Sequence, residues 1–321
     1  MRVLYLGSYG FGNLGDELCL AEAVRTFGGD EVWTYAHDPR LTARATGVTN
    51  FIASRKDIAM LRPHAVVIGG GGIGFLPAIR DFLAWAVDAT KLGARLFIHN
   101  IGVYEETALD RTWLAPEILQ AIRDAEDFTV RDAESARIAT QWCGRQPAVT
   151  GYPEVIFDSD PTLLGLLPDA PLLGISLANR DEVKQTLMGN RQAVDEMLAA
   201  FPDHVIIPII STVHNVAAVE NDILAFQWFQ TNFLRGRTIG FRETLLPAWW
   251  RLHMTPKRLR GVIGKLDCLA AQRKHNCIHA IGAGVPLIGL DVEGHASIAR
   301  IFEQFDGTLA TGSRLLTLRI S

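Results

Sequence analysis

The chain has few cysteines, no long apolar run and almost no surplus charge, and each lack excludes a class of protein. Cys19, Cys143, Cys268 and Cys277 are the only four cysteines in 321 residues, and none forms a C-x-x-C pair. That excludes a disulfide scaffold and fits a reducing compartment. The formal charge is −4, from 31 Lys+Arg against 35 Asp+Glu. A dedicated nucleic-acid binder is not expected, because neutralising phosphates needs a basic surplus or stripe. The most apolar stretch, Ala65 to Ile79, contains five glycines and one proline and is shorter than the ~20 residues of a spanning helix. The N-terminal MRVLYLGSYG has one basic residue and a short apolar run ended by glycine. It lacks the longer apolar core and cleavage site of a signal peptide, so Met1–Gly7 reads as a first strand. The expectation is a cytoplasmic protein. With 48% hydrophobic and 21% charged residues the composition is that of a globular chain, not a disordered one. Its length gives a prior of about two domains.

What is present is an alternation. Short runs rich in Val, Ile and Leu, at 3–6, 31–35, 65–68, 96–100, 128–130 and 148–150, are separated by amphipathic stretches at 16–27, 81–92, 115–124 and 133–142. Continuous apolar strands alternating with helices predict a parallel sheet covered on both faces. The segment 158–171 carries Pro161, Pro168 and Pro171 and reads as a linker. The rhythm then restarts, with strands expected at 173–177, 205–210, 238–241, 266–270 and 285–290. Helices are expected at 193–201, 219–233, 258–265, 276–283 and 296–305. We therefore expect an α/β chain of two doubly wound domains, 1–160 and 161–321. In such sheets ligands bind beyond the carboxyl ends of the strands, and two such halves are expected to face a cleft that holds the site.

Two glycine loops follow strands of the first half. The first, Gly7-Ser8-Tyr9-Gly10-Phe11-Gly12-Asn13-Leu14-Gly15-Asp16-Glu17, contains G-x-G-x-x-G, the dinucleotide fingerprint. However, Asp16 and Glu17 occupy the first helical turn, where a pyrophosphate would sit, and suit the helix dipole by themselves. Asn13 is placed to cap that helix. The loop is either a tight capped turn or a surface that offers carboxylate and amide groups to a hydroxyl-rich ligand. The second loop has five glycines in the six positions 69–74. Gly70, Gly71 and Gly72 allow either close backbone approach to a ligand or a sharp turn packed on the first loop. No Gly-Lys-Ser/Thr follows, so a P-loop is excluded.

In the second half, Gln272-Arg273-Lys274-His275-Asn276-Cys277-Ile278-His279 runs from a loop into a helix. An arginine fork, an imidazole and helix N–H groups together suit a small dianion. His275 and His279 are four residues apart, but with no Glu between them the pair is weak evidence for a metal. His279 reads as structural, and no metal is expected. Arg251, Lys257, Arg258, Arg260 and Lys265 are interleaved with Trp249, Trp250 and Leu252. They read as a solvated helix face or as a contact for an anionic lipid headgroup, or a lipid-linked diphosphate, at the inner membrane face. Arg131 ends a strand, with Asp132 placed to cap the next helix. His37 and Asp38 follow the second strand. No G-x-S-x-G elbow occurs, so an α/β-hydrolase is unsupported.

Taken in order, GSYGFGNLGDE at 7–17, VVIGGGGIGF at 66–75, HNIGV at 99–103, TVRDAES at 129–135, GISL at 174–177 and RKHNCIHAIGAGVPLIGL at 273–290 resemble the polysaccharide pyruvyl transferase family. The resemblance implies two Rossmann-like halves of GT-B type. It also implies transfer of the enolpyruvyl group of phosphoenolpyruvate to a sugar of a cell-surface polysaccharide, or of its lipid-linked precursor, as a pyruvate ketal, with release of phosphate. Phosphoenolpyruvate is then a donor substrate, and no separate cofactor is implied. The family's R-x-H motif falls on Arg273 and His275. On this basis Arg273 grips the donor's carboxylate or phosphate, and His275 moves the proton, an imidazole being able both to donate and to accept near neutrality. Arg131 and Lys274 are secondary anion contacts. Gly70, Gly71 and Gly72 lie along a substrate, and Gly10, Gly12, Asn13 and Asp16 meet acceptor hydroxyls. The chain departs from the family pattern in Lys274, where leucine is common, in Tyr152, where aspartate is common, and in the turn Glu293-Gly294-His295, where a lysine is common. These departures bear on acceptor identity. The alternatives are a GT-B glycosyltransferase using a nucleotide sugar, an NAD-dependent oxidoreductase, and a non-catalytic carbohydrate-binding relative.

Overall fold

The structure is a computed structural model that describes residues 1–73, 77–103, 115–214, 216–292 and 298–319. The chain divides into two compact units, Met1–Glu154 and Val155–Ser321. Gly74 of the second glycine loop and the turn Glu293-Gly294-His295 lie outside the described residues.

The first unit is one parallel sheet. Its strands are β1 (Arg2–Leu6), β2 (Glu31–Thr34), β3 (Asn50–Phe51), β4 (Ala65–Gly69), β5 (Gly72–Ile73), β6 (Arg95–Val103), β7 (Asp127–Val130) and β8 (Ala148–Val149). Their order is β3-β2-β1-β4-β6-β7-β8, with β5 paired to the end of β6. The helices are α1 (Leu14–Phe27), α2 (Pro39–Thr46), α3 (Asp57–Leu61), α4 (Pro77–Lys91), α5 (Pro116–Asp124) and α6 (Ala133–Cys143). The central strands are apolar throughout because both faces are covered. Leu4, Leu6, Val66, Ile68, Leu96 and Ile98 enter one core cluster, while the alternate residues Val3, Tyr5, Ala65 and Val67 enter the other. The two-residue strands β3 and β5 and the short helices α2 and α3 are too brief to show a period in the sequence.

The second unit contains β9 (Leu172–Ser176), β10 (Val205–Pro208), β11 (Cys268–Ala271), β12 (Leu287–Val292) and β13 (Arg314–Leu318), all parallel, in the order β10-β9-β11-β12-β13. Around them lie α7 (Asp181–Gly189), α8 (Arg191–Ala199), α9 (Asp222–Phe233), α10 (Pro247–His253), α11 (Pro256–Ile263), α12 (Lys274–Ala283) and α13 (Ala299–Phe305). The strand expected at 238–241 is a correction. Only one isolated bridge forms there, Ile206 to Ile239, and Phe241 takes a left-handed φ of 51° that ends any extension. The proline-rich segment after residue 158 is ordered within this unit. Pro161–Leu166 forms a 3-10 helix capped by Asp160, and Asp160 also pairs with Arg258 of α11. No helix among the described residues is long and apolar enough to cross a membrane.

The two strand orders determine where a ligand can sit. In a doubly wound sheet the connections run one way from the first strand and the other way afterwards, which leaves a crevice at the reversal. In the first unit the reversal lies between β1 and β4, in the second between β9 and β11. The two glycine loops follow β1 and β4. The R-x-H turn follows β11.

Candidate functional site

In the first unit the two glycine loops are wedged together. Tyr9, fully buried, donates its hydroxyl to the Gly69 carbonyl at 2.7 Å. A Cβ on Gly7 would lie 2.1 Å from that same carbonyl oxygen, and one on Gly70, whose φ is +73°, would lie 2.7 Å from the Tyr9 ring. Gly7 and Gly70 are therefore required by packing of one loop on the other. Gly10, at φ +78°, has no room for a Cβ either, because Asp38 N would be 2.4 Å away. Its amide donates to Glu17 Oε1 at 2.6 Å, and Thr42 donates to the same oxygen. Burial raises the Glu17 carboxyl to about 8, against the hydrogen bond from Gly10. Gly12 and Gly71 also take left-handed φ values of 91° and 94°. Asn13 caps α1 by accepting from Gly15 N, and Asp16 and Glu17 occupy the first turn. That helix N-terminus is thus already capped and acidic. Gly72 lies in the short β5 beside Gly102. His37 stacks on Phe11, and Asp38 caps α2.

Behind the second loop, β6 carries a register shift between Ile98 and Ile101. Asn100 within it has φ +49° and is buried. The Asn100 amide N–H donates to Thr129 Oγ1, its side chain donates to Glu154, and its carbonyl accepts from Arg131 Nε at 2.9 Å. Arg131 Nη2 reaches Cys19 Sγ at 3.1 Å, and the Cys19 thiol donates to Glu154. Burial pushes this thiol well up, despite Arg131. Arg131 is only 2% exposed, and its Nε–H holds the Asn100 carbonyl. Asp132 caps α6 by accepting from Ser135 N.

The second unit gathers charged side chains. Arg273 is the N-cap residue of α12, Lys274 and His275 are in the first turn, and no side chain caps that helix. Arg273 Nε and Nη2 donate to Asp222 Oδ1 at 2.9 and 2.6 Å, and Nη1 donates to Glu220 Oε2 at 2.7 Å. The other Glu220 oxygen accepts from Arg180 Nη2. Asp222 is fully buried, and its Oδ2 accepts from Ser211 N, Ser211 Oγ and Thr212 N. Burial disfavours ionised Glu220, but Arg273 and Arg180 outweigh it and hold the carboxyl below its usual range. Burial likewise opposes charge on Arg273, and Asp222 and Glu220 more than compensate. Beneath this network Asn276 donates to both Ser176 and Ser211, which joins α12 to the strand ends. Sequence reasoning found Arg273, Lys274 and His275 but missed Arg180, Glu220, Asp222 and Asn276. The partners of Arg273 are 51 and 53 residues away in sequence, and no local pattern links them.

The other basic residues of this unit are largely engaged. Arg260 is buried, donating to His279 Nδ1 and to the carbonyls of Val155 and Phe157. His279 is fully buried, and burial together with Arg260 depresses its pKa well below the ordinary value. It is a neutral core residue. Arg258 and Lys257 pair with Asp160 and Asp158, and Arg251 donates to the Val213 carbonyl.

Two doubly wound parallel units, each with its loops at the reversal of strand order, define a GT-B-like protein. The solved structures it resembles agree. One titled a putative UDP-N-acetylglucosamine 2-epimerase from Listeria monocytogenes is 15% identical, with a TM-score of 0.57 over 97% of this chain and 84% of that one. The Anabaena protein HepE in complex with UDP-glucose is 13% identical, with a TM-score of 0.59 over 92% and 81%. The glycosyltransferase SnogD from Streptomyces nogalater is 14% identical, with a TM-score of 0.52 over 98% and 88%. At such identities these likenesses concern the fold alone. No curated protein matches the chain. Residues 13–294 match the family described as polysaccharide pyruvyl transferase, and the chain belongs to that family.

Proposed function

We propose that the protein transfers the enolpyruvyl group of phosphoenolpyruvate to a sugar of a cell-surface polysaccharide or its lipid-linked precursor. The observation that carries this reading is the R-x-H turn. Arg273 and His275 stand at the uncapped N-terminus of α12, at the strand-order reversal of the second unit. In this mechanism Arg273 and the α12 amides hold the donor's phosphate or carboxylate. His275 delivers a proton to the methylene carbon, which becomes the methyl group. One acceptor hydroxyl attacks C2, and a second displaces phosphate to close the ketal. The two hydroxyl protons balance the proton supplied to carbon and the one leaving with phosphate. Lys274 adds positive charge beside the donor. Gly70, Gly71 and Gly72 offer backbone to a substrate, and Gly10, Gly12, Asn13 and Asp16 take acceptor hydroxyls. Arg131 acts from behind, through Asn100.

The test is release of inorganic phosphate from phosphoenolpyruvate with a panel of sugar acceptors. Acceptor-dependent release, with pyruvate retained on the sugar, is expected. Turnover of a nucleotide sugar without any response to phosphoenolpyruvate would overturn the reading in favour of a glycosyltransferase. Binding of a sugar without phosphate release would make the chain a non-catalytic relative.

A further inference from the structure

Glu220 is placed to do more than neutralise Arg273. Its two oxygens take different guanidinium groups, Arg180 on one side and Arg273 on the other. Arg180 follows β9 and Arg273 follows β11, and these neighbouring strands run in register with Ser176 beside Ala271. The two arginines therefore flank the strand-order reversal of the second unit, where a doubly wound sheet leaves its crevice. Glu220 ties them together across it. All three side chains keep an outward aspect, at 24%, 16% and 21% exposed for Arg180, Arg273 and Glu220.

The donors of the two forks are engaged unequally. Arg273 directs Nε, Nη1 and Nη2 to carboxylates. Arg180 uses Nη2 on Glu220, while its buried Nε–H has no hydrogen-bond partner among the described residues. An unpaired buried donor on a charged group is costly, and an oxyanion at this corner relieves that cost.

Resting on the reading that phosphoenolpyruvate is the donor, we infer that Arg180 is a second anion-binding residue of the donor site and that Glu220 is the positioning residue that sets the two arginine forks side by side. The guanidinium N–H groups that the carboxylates leave over, two on Arg273 and four on Arg180, match a ligand that carries both a phosphate and a carboxylate. Asp222, fixed by Ser211 and Thr212, anchors Arg273 from below.

The experiment is calorimetric titration of the full chain with phosphoenolpyruvate and, separately, inorganic phosphate, together with kcat and KM for phosphoenolpyruvate. Arg180→Ala is expected to weaken phosphoenolpyruvate binding at least tenfold and to raise KM more than it lowers kcat. Arg180→Lys keeps a charge opposite Glu220 but loses the fork, and should recover only part of the affinity. Glu220→Gln is the decisive variant. It removes a negative charge next to an anion site, so a purely electrostatic view expects tighter binding, whereas loss of positioning makes binding several-fold weaker. Arg191→Ala, on the exposed face of α8, should bind as the unaltered protein does. Unchanged affinity in both Arg180 variants, or equal or tighter binding in Glu220→Gln, overturns the inference while leaving the donor assignment in place. Failure of the unaltered protein to bind phosphoenolpyruvate overturns that assignment, and the inference with it.

Discussion

The two units solve the same topological problem with opposite chemistry. Each has a strand-order reversal, two loops beside it and a helix that starts there. In the first unit the loops are glycine backbone wedged around Tyr9, and α1 begins with an Asn13 cap followed by Asp16 and Glu17. In the second unit the loops carry ionic side chains, and α12 begins uncapped between Arg273 and Lys274. One helix start carries a side-chain cap and acidic residues, and the other lacks a side-chain cap and carries basic ones. A Rossmann-type position therefore does not by itself define an anion site. The residues in the first turn decide it.

The comparison breaks most sharply at the second unit. His275→Ala should lower phosphate release by about 10²–10⁴-fold, with a urea curve that still shows a folded protein. A full rate in that variant would remove His275 from proton transfer. Arg273→Ala should differ in kind. Losing charged hydrogen bonds of roughly 1.5–3 kcal/mol each lowers donor efficiency at least tenfold, and stability falls too, because fully buried Asp222 keeps Ser211 and Thr212 but loses the cation beside it, a change worth about 3–5 kcal/mol. The measurement is kcat/KM beside a denaturation curve.

In the first unit the expected effects are structural. Gly7→Ala forces a Cβ to 2.1 Å from a carbonyl oxygen, and overpacking of this kind costs about 1–3 kcal/mol or more. Gly93→Ala, at a left-handed φ of +93° that Gly7 does not share but with nothing within 4 Å, should cost only the left-handed penalty of about 1–2 kcal/mol. Equal losses in the two urea midpoints would refute the wedge. Glu17 supplies a pH test. Its carboxyl, raised to about 8 from 4.5, holds its proton longer in the folded state than in the unfolded one. Its contribution to stability is therefore intact below about pH 4.5 and declines as pH rises towards 8. Glu17→Gln should match the parent near pH 4 and exceed it by a few kcal/mol near pH 9, since each tenfold change in proton affinity is worth about 1.4 kcal/mol. A gap that is the same at both pH values would contradict this. The smallest effect is Tyr9→Phe, which removes one buried hydrogen bond to Gly69 and should cost about 1 kcal/mol.

The legible parts of the sequence are those with a local signature. The apolar strands β1, β4, β9 and β12, the Asn13 cap and the Asp132 cap can all be read directly, because period and capping are written within a few residues. The R-x-H turn is legible as a helix start for the same reason. The glycine loops are legible as loops, but their mutual packing is not, since Tyr9 and Gly69 are 60 residues apart. The run 238–241 resembles a strand because Ile239 and Phe241 alternate. Its left-handed Phe241 depends on tertiary contacts that no window contains. The Arg180–Glu220–Arg273 network is invisible for a related reason. Charged residues at 180, 220 and 222 resemble any solvated surface until β9, β10 and β11 bring their loops to one edge.

The four cysteines are buried thiols outside any disulfide, and they are shared evenly, with Cys19 and Cys143 in the first unit and Cys268 and Cys277 in the second. A thiol-alkylating reagent should therefore ignore the native protein and modify each pair only when its own half opens. Peptide mass spectrometry after timed exposure would then give an opening rate for each half from a single unmodified sample, without any engineered label.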